Sequence, residues 1–169
     1  MKRLLGPEII TFLLFLLSYI LINNVCIVYD GDTFRKGLYV YRIIGIDAPE
    51  YKKKQKEWVI EFISNILNVP ERKINISCLN LYGIKAKEEL EKQINFFCFN
   101  IKVIPVKKDK YGRILAYVYK DTTDIGEELI IKGFAIVYPF EEFEKKEEYY
   151  KAMYYAIKNK EGLWGCIIK

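Results

Sequence analysis

Histidine is absent from the 169 residues of this chain. This absence removes the commonest general base, the commonest zinc ligand and every nucleophile that a histidine would activate. Any catalysis must therefore use carboxylates, lysine, arginine or tyrosine. Four cysteines are present without a C-x-x-C pair, which argues against a structural zinc or a thioredoxin-like site: Cys26, Cys78, Cys98 and Cys166. We expect buried free thiols; export would make disulfides possible, with the pairing left open.

The chain also lacks Ser/Gly-rich linkers, low-complexity segments and internal repeats. With 51% hydrophobic residues, its length suits one domain with a core rather than two. The net charge of +5 suits a polyanionic partner but does not identify one. We therefore expect a single domain, residues 23–169, after an N-terminal segment of different character.

That N-terminal segment carries Lys2 and Arg3 before an apolar run from Ile9 to Ile22. The run is short for a bilayer span of about 20 residues, and no small-x-small cleavage site follows it. We predict that residues 1–22 are a signal or membrane anchor that is not cleaved. The domain would then be membrane-anchored outside the cytoplasm, or secreted if the segment is removed. The alternative is a buried element of the domain, since no linker follows the run.

Beyond residue 23 the hydrophobic pattern alternates between strand and helix periods. Strands are predicted at 24–29, 34–40, 41–46, 99–106 and 114–119. Four helices are predicted. The first covers residues 55–67, and the second carries Ala86, Leu90, Ile94 and Phe97 on one apolar stripe. The third runs from Thr123 or Asp124 to Gly133, and the fourth covers residues 141–160 with Tyr154 facing inward. This order favours an α+β fold built on a five-stranded OB-type β-barrel with packed helices.

Three short motifs carry candidate chemistry. Asp30-Gly31-Asp32-Thr33 places two carboxylates in a turn, and Arg42 shares a strand with a following Asp47-Ala48-Pro49-Glu50 segment. An arginine on the inner side of a barrel strand needs a bound phosphate or a buried carboxylate as its partner. The third motif, Asp109-Lys110-Tyr111-Gly112-Arg113, is a basic turn before a strand. Taken singly, the first and third motifs could be polar hairpin turns.

Together and in this order, the motifs resemble those of the staphylococcal nuclease (thermonuclease) family, over roughly residues 24–165. The resemblance implies an OB-fold endonuclease, a hydrolase that cleaves phosphodiester bonds of DNA or RNA with calcium. By the same resemblance, Asp32, Asp47 and the main-chain carbonyl of Ala48 would bind the calcium ion, while Arg42, Glu50 and Arg113 would be catalytic. Lys110 and Tyr111 would contact the substrate.

Physical chemistry is consistent with these implied roles. Carboxylates suit a hard cation, a carboxylate can orient a water for attack, and guanidinium groups can stabilise charge on phosphate oxygens. The resemblance breaks at residues 51–81, an expected insertion with an extra helix that could reshape substrate access. Beyond nucleic acid and the membrane we expect no obligate protein partner and a monomer. The alternatives are a non-catalytic nucleic-acid-binding or protein-binding module of the same fold, and a tethered structural or adhesion domain.

Overall fold

The computed structural model describes residues 6–50 and 54–168, so parts of the predicted segments 1–22 and 51–81 lie outside the described residues. The described helices are α1 (Pro7–Asn23), α2 (Glu57–Leu67), α3 (Ile76–Ile94), α4 (Ile125–Ile131) and α5 (Lys146–Asn159). The strands are β1 (Cys26–Val28), β2 (Thr33–Lys36), β3 (Tyr39–Ile43), β4 (Ile46–Asp47), β5 (Ile101–Lys108), β6 (Ile114–Lys120), β7 (Thr123–Asp124) and β8 (Ile136–Val137). Two 3₁₀ turns lie at Glu71–Lys73 and Gly162–Gly165.

The main sheet has the strand order β1-β2-β3-β6-β5, with β7 paired to β6. Strands β3 and β6 run parallel, and the other pairs in this sheet are antiparallel. A separate antiparallel ladder joins β4 to β8. The predicted α+β class is therefore confirmed. Closure of a barrel is not, because the hydrogen-bonded path of the described strands ends at β1 and β5.

The β2–β3 hairpin turns at Gly37 and Leu38, where the Lys36-Gly37 pair is typical of a tight turn in the sequence. The predicted strand boundary between Val40 and Tyr41 is wrong, because β3 runs unbroken through both residues. Gly37 adopts a φ of +57°. Glycine takes this left-handed conformation without the steric strain that other residues meet, so the turn forms there.

Two helix predictions also need correction. Phe97 was placed on the apolar stripe of a helix, but α3 ends at Ile94 and Phe97 is exposed. Tyr154 was expected to face inward from the last helix, yet it is exposed. The buried face of α5 lies one position away and consists of Tyr149, Ala152, Met153 and Ala156. Small alanine side chains let α5 approach its neighbours closely, which a stripe of tyrosines would prevent.

All four cysteines form disulfides, which overturns the expectation of free thiols. Cys26 bonds to Cys98 and Cys78 bonds to Cys166, with Cα–Cα separations of 5.9 Å and 5.8 Å. The bridges close loops with sequence separations of 72 and 88 residues. Long loops of this kind lose much conformational entropy in the unfolded chain, so each bridge stabilises the fold by about 4 kcal/mol in the chain-entropy estimate.

Helix α1 stands apart from the domain core. None of its residues is buried, although the stretch from Ile9 to Ile22 is apolar apart from Thr11 and Ser18. Among the described residues, no helix combines the length and the hydropathy that a membrane crossing requires. The core lies instead between the sheet and helices α2–α5, and its largest buried side chains include Phe34, Ile43, Leu79, Leu90, Leu129 and Tyr149.

Candidate active site

The Asp30–Thr33 turn lies between β1 and β2 and buries one of its two carboxylates. Asp32 is 3% exposed. Its oxygens accept hydrogen bonds from the Thr33 hydroxyl (2.7 Å) and from the Ala48 backbone N–H (3.1 Å). Gly31 permits this close packing, because a Cβ at that position would lie 2.6 Å from the Cβ atoms of Ala48 and Ala86. The turn is therefore clamped between the Ala48 segment and α3.

Arg42 joins the two carboxylates that the sequence proposed as metal ligands. Its Nη1 lies 2.6 Å from Asp32 Oδ1, and its Nη2 lies 2.5 Å from Asp47 Oδ1. Asp47 ends β4 and is 1% exposed. Of the two partners expected for a buried arginine, the described structure supplies the carboxylate, and it supplies two.

Lys56 brings a second cation to the same carboxylates. Its Nζ donates to both oxygens of Asp47, at 2.7 and 2.9 Å, and lies 3.0 Å from Glu50 Oε1. Lys56 immediately precedes α2, in the segment that the sequence identified as an insertion. The insertion therefore contributes a charged group to the site itself.

Gln55 holds the chain of Glu50 next to these charges. The Gln55 side chain accepts a hydrogen bond from the Glu50 N–H (2.9 Å) and donates one to the Glu50 carbonyl (3.0 Å). It also donates to Asn80 on α3 (2.9 Å). Gly83 lets α3 pass close behind, since a Cβ there would lie 2.5 Å from the Glu50 carbonyl oxygen. The backbone of Glu50 is thus fixed on both sides.

The pKa values reflect this dense charge cluster. Burial acts to raise the pKa of Asp32, but the Arg42 guanidinium, together with the hydrogen bonds from Ala48 and Thr33, holds that pKa below its ordinary value. Burial and the neighbouring charge of Asp32 raise the pKa of Asp47 despite Lys56 and Arg42. Burial and Asp32 also raise the pKa of Asp30 to about 6. Burial opposes the charge of Lys56, yet Asp47 raises its pKa, so the lysine is fully charged at neutral pH.

The Asp109–Arg113 turn joins β5 to β6 and is stabilised by its own aspartate. Asp109 accepts hydrogen bonds from the backbone N–H groups of Tyr111 (2.9 Å) and Arg113 (3.0 Å). The Arg113 Nε donates to the other Asp109 oxygen at 2.8 Å. This contact uses Nε, and no described residue is hydrogen-bonded to the two terminal amino groups of Arg113, which are the groups that would bind a phosphate. Gly112 completes the turn with a φ of +83°.

A cleft of about 350 Å³ brings the proposed substrate groups together: Arg42, Asp47, Lys110, Tyr111 and Arg113 line it. A smaller adjoining pocket is lined by Asp32, Ala48 and Glu50, and shares Arg42 and Lys56 with the cleft. Every candidate site residue from the sequence therefore lies in one of two neighbouring cavities.

Aromatic side chains form part of the cleft wall. Tyr111 is exposed, with Lys110 Nζ 5.2 Å and Arg113 Cζ 5.5 Å from its ring centre. Trp58 of α2 and Tyr138 also line the cleft, and their ring centres are 5.4 Å apart. Tyr138 directly follows β8 and its N–H donates to the Gly45 carbonyl (2.9 Å), so it is tied to the strand that carries Asp47.

Sequence reasoning missed Lys56, Gln55 and Trp58. Tyr138 is the nearest match in the sequence to a further nucleotide-stacking tyrosine, but it is not among the candidate residues because Pro139 and Phe140 depart from the expected pattern. The other three lie in the insertion, where a lysine-rich run gives no sign of which side chain returns to the site.

The donor chemistry where the two cavities meet fits a hard cation, because Asp32 and Ala48 of the smaller pocket and Asp47 of the cleft offer oxygen atoms and the chain has no histidine. However, no group of three or more acidic or cysteine side chains is arranged to hold a metal among the described residues. Both carboxylates are also paired with Arg42, and Asp47 is paired with Lys56 as well. A bound cation would therefore compete with the protein's own positive charges.

The sequence matches the family described as "Staphylococcal nuclease homologue" over residues 40–166. It is 34% identical over 151 residues to uncharacterized protein MJ1439 of Methanocaldococcus jannaschii, covering 81% of this chain and 68% of that protein. SPbeta prophage-derived endonuclease YokF of Bacillus subtilis is 31% identical over 106 residues, covering 57% of this chain and 36% of that protein. Probable endonuclease LCL3 of Komagataella phaffii is 40% identical over 73 residues, covering 38% and 32%.

The chain thus matches about a third of the length of the two proteins named as endonucleases. The family match begins after the Asp30–Thr33 turn, but it includes the Arg42, Asp47–Glu50 and Asp109–Arg113 motifs and covers well over half of the chain. These findings confirm the resemblance that the motifs suggested, and the chain belongs to the staphylococcal nuclease homologue family.

Proposed function

We propose that this chain is a calcium-dependent endonuclease that hydrolyses phosphodiester bonds of DNA, RNA or both. The observation that carries the proposal is the cleft beside the pocket that contains Glu50. This cleft brings Arg42 and Arg113 together with the exposed ring of Tyr111 and the partly buried rings of Trp58 and Tyr138. A nucleic acid offers both a phosphate for the guanidinium groups and a base for the rings. A ligand without a phosphate would leave the guanidinium groups unused, and a ligand without a base would leave the aromatic rings unused.

Arg113 is the group best suited to bind the scissile phosphate. Its terminal amino groups can donate two parallel hydrogen bonds to phosphate oxygens while Nε stays on Asp109. Arg42 adds a second positive charge, although it is shared with Asp32 and Asp47. As the phosphorus becomes five-coordinate, both guanidinium groups stabilise the extra negative charge on its oxygens.

Glu50 is the proposed base. The carboxylate accepts a proton from a water molecule as the water oxygen bonds to phosphorus, and the P–O bond to the leaving group breaks. Gln55 fixes the main chain of Glu50 for this role. Lys56 contacts both Glu50 and Asp47 and offsets part of their negative charge.

Asp32, Asp47 and the Ala48 carbonyl would hold the calcium ion. When bound, calcium would neutralise phosphate charge near these carboxylates. The remaining work is done by the chain's own side chains: Arg113 and Arg42 orient the phosphate, and Tyr111, Trp58 and Tyr138 contact the bases.

A cleavage assay with the full chain tests this proposal. We expect plasmid DNA, single-stranded DNA or RNA to be cut in calcium chloride, not in excess EDTA, and not after zinc is added instead. Cleavage that persists in EDTA would contradict the calcium assignment. Binding of single-stranded nucleic acid without cleavage under every condition would favour the alternative, a non-catalytic binding module of the same fold.

We also propose that the chain is attached to a membrane through its N-terminal segment, with the domain outside the cytoplasm. Two observations support this. Helix α1 is largely apolar, and its residues from Pro7 to Ile22 are all exposed, which is unfavourable in water. Disulfides Cys26–Cys98 and Cys78–Cys166 are typical of an oxidising compartment. Flotation of the full chain with phosphatidylcholine vesicles tests the attachment, and recovery of the chain in the lipid-free fraction would contradict it.

A further inference from the structure

Four large apolar side chains are exposed around the end of α1, and we refer to them as the apolar collar: Leu38, Phe96, Phe97 and Phe99. Leu38 is 81% exposed, and each phenylalanine is more than half exposed. The rings of Phe96 and Phe97 are 5.0 Å apart, and those of Phe97 and Phe99 are 6.2 Å apart. Single exposed apolar residues are common on proteins, but a contiguous group such as these three phenylalanine rings marks an interaction surface.

Main-chain hydrogen bonds attach the collar to the segment that leaves α1. The Cys98 N–H donates to the Asn24 carbonyl (2.9 Å), and the Cys26 N–H donates to the Phe96 carbonyl (2.8 Å). On the other side, the Gly37 N–H donates to the Val25 carbonyl (2.9 Å), which places the hairpin tip bearing Leu38 beside the same segment. The collar is therefore held rigidly at the C-terminal end of α1.

Four polar side chains of α1 and its C-cap residue donate to main-chain carbonyls of the same helix. The hydroxyls of Thr11 and Ser18 donate to the carbonyls of Pro7 (2.9 Å) and Phe15 (2.8 Å). At the C-terminal end, the side-chain amides of Asn23 and Asn24 donate to carbonyls one turn earlier, at 2.8 and 2.9 Å. Internal bonding of these four side chains suits surroundings that offer few hydrogen-bond partners, such as lipid.

A second copy of α1 fits these observations less well than lipid does. Helices that pair closely in an apolar phase use small residues at the contact. The run from Ile9 to Ile22 contains no glycine or alanine, and the hydroxyls of its two small residues, Thr11 and Ser18, donate to carbonyls of their own helix. Its bulky side chains point to all sides of the helix and leave no narrow contact face. A helix that is apolar all round is typical of burial in a large core or in a membrane.

We propose that the apolar collar rests in the interfacial region of a lipid bilayer whose hydrocarbon surrounds α1. Aromatic side chains favour the boundary between hydrocarbon and water. The 17 residues of α1 extend about 25 Å, less than the hydrocarbon thickness of about 30 Å. A short apolar helix draws its flanking residues toward the lipid, so the collar meets the headgroup region. This inference rests on the proposed membrane attachment.

Tryptophan fluorescence in the full chain tests the collar. Phe97→Trp places an indole in the collar, and Tyr155→Trp is the matched control on α5, because Phe97 is 52% and Tyr155 is 53% exposed. The signal of the native Trp58 and Trp164 is subtracted using wild-type protein. With phosphatidylcholine vesicles, we expect the Phe97→Trp emission to shift to the blue. Vesicles with brominated acyl chains should quench it at least twofold more than the control.

Each outcome has a separate meaning. Flotation with vesicles but no quenching of Phe97→Trp beyond the control would overturn the collar proposal while leaving the attachment intact. Failure to float would overturn both, without bearing on cleavage of nucleic acid in solution. A concentration-dependent blue shift in the absence of vesicles would point to contact between copies and would also overturn the proposal. If Phe97→Trp fails to fold, Phe99→Trp gives the same measurement.

Discussion

Replacing Lys56 by methionine removes one positive charge from the site while keeping a side chain of similar length. Lys56 Nζ contacts Asp47 at 2.7 Å and Glu50 at 3.0 Å, in the place where a bound cation would compensate the same charge. Two unit charges about 4 Å apart interact by about 4 kcal/mol at an effective dielectric constant of 20. The Lys56 side chain is 35% exposed, so solvent screens its charge. We therefore expect Lys56 to weaken the binding free energy of a competing cation by about 1–2 kcal/mol.

We therefore expect Lys56→Met to bind calcium about 5- to 30-fold more tightly than wild type, measured by isothermal titration calorimetry of the full chain in detergent. In EDTA the same variant should be less stable to urea by about 1–2 kcal/mol, since the buried Asp47 keeps Arg42 but loses a partner. Calcium should reverse this loss.

The matched control is Lys54→Met, because Lys54 pairs with the exposed Glu57 at 3.3 Å and is not among the residues of either site cavity. It should change neither calcium affinity nor stability by more than about 0.5 kcal/mol. Calcium affinity in Lys56→Met that equals or falls below that of wild type would refute the competition between Lys56 and the cation.

Two further substitutions test the support of the site and of the fold. Gln55→Ala removes both hydrogen bonds to the backbone of Glu50. It should therefore lower kcat, and it should lower the free energy of unfolding by about 1–3 kcal/mol. An unchanged kcat per folded molecule would contradict the positioning role of Gln55. Tyr149→Phe removes the hydroxyl that donates to the buried Asp124 at 3.0 Å, so urea unfolding should show a loss of about 1–2 kcal/mol, whereas Tyr155→Phe on the exposed face should change little.

The motif residues could be predicted from the sequence because each motif is local. The Asp109–Arg113 turn, the N-terminal cap of α4 at Asp124 and the spacing of Arg42 and Asp47 depend on residues a few positions apart. Turn chemistry and strand alternation act at this range, so they are visible in a single sequence.

Features that depend on distant contacts could not be predicted. Asp32 lies in a turn and Asp47 at the end of a strand, positions that suggest exposure. Both carboxylates are nevertheless buried, and both pair with the guanidinium of Arg42. The return of Lys56 and Gln55 to the site depends on the path of the insertion. Disulfide pairing depends likewise on which chain segments meet in three dimensions, since four cysteines allow three connectivities.

The position of Phe97 in the apolar collar also could not be predicted from the sequence. Phe97 fits the apolar stripe of a helix by its spacing, but α3 stops at Ile94 where Asn95 takes a φ of +56°. The hydrogen bond from the Cys98 N–H to the Asn24 carbonyl then holds the segment that contains Phe97 beside the end of α1. Helical periodicity alone cannot reveal this, because tertiary pairing overrides it.

The most direct test of the account is kcat for nucleic-acid cleavage by Glu50→Gln and Arg113→Lys, measured together with melting temperature. Glu50→Gln keeps the size of the side chain but loses the base, so kcat should fall by about 10²- to 10⁴-fold. Arg113→Lys keeps the charge but loses the two-pronged phosphate contact, so kcat should fall more than about tenfold while uncut substrate still binds. Melting temperatures should stay near that of wild type. Near-wild-type turnover per folded molecule in both variants would contradict hydrolysis at this site.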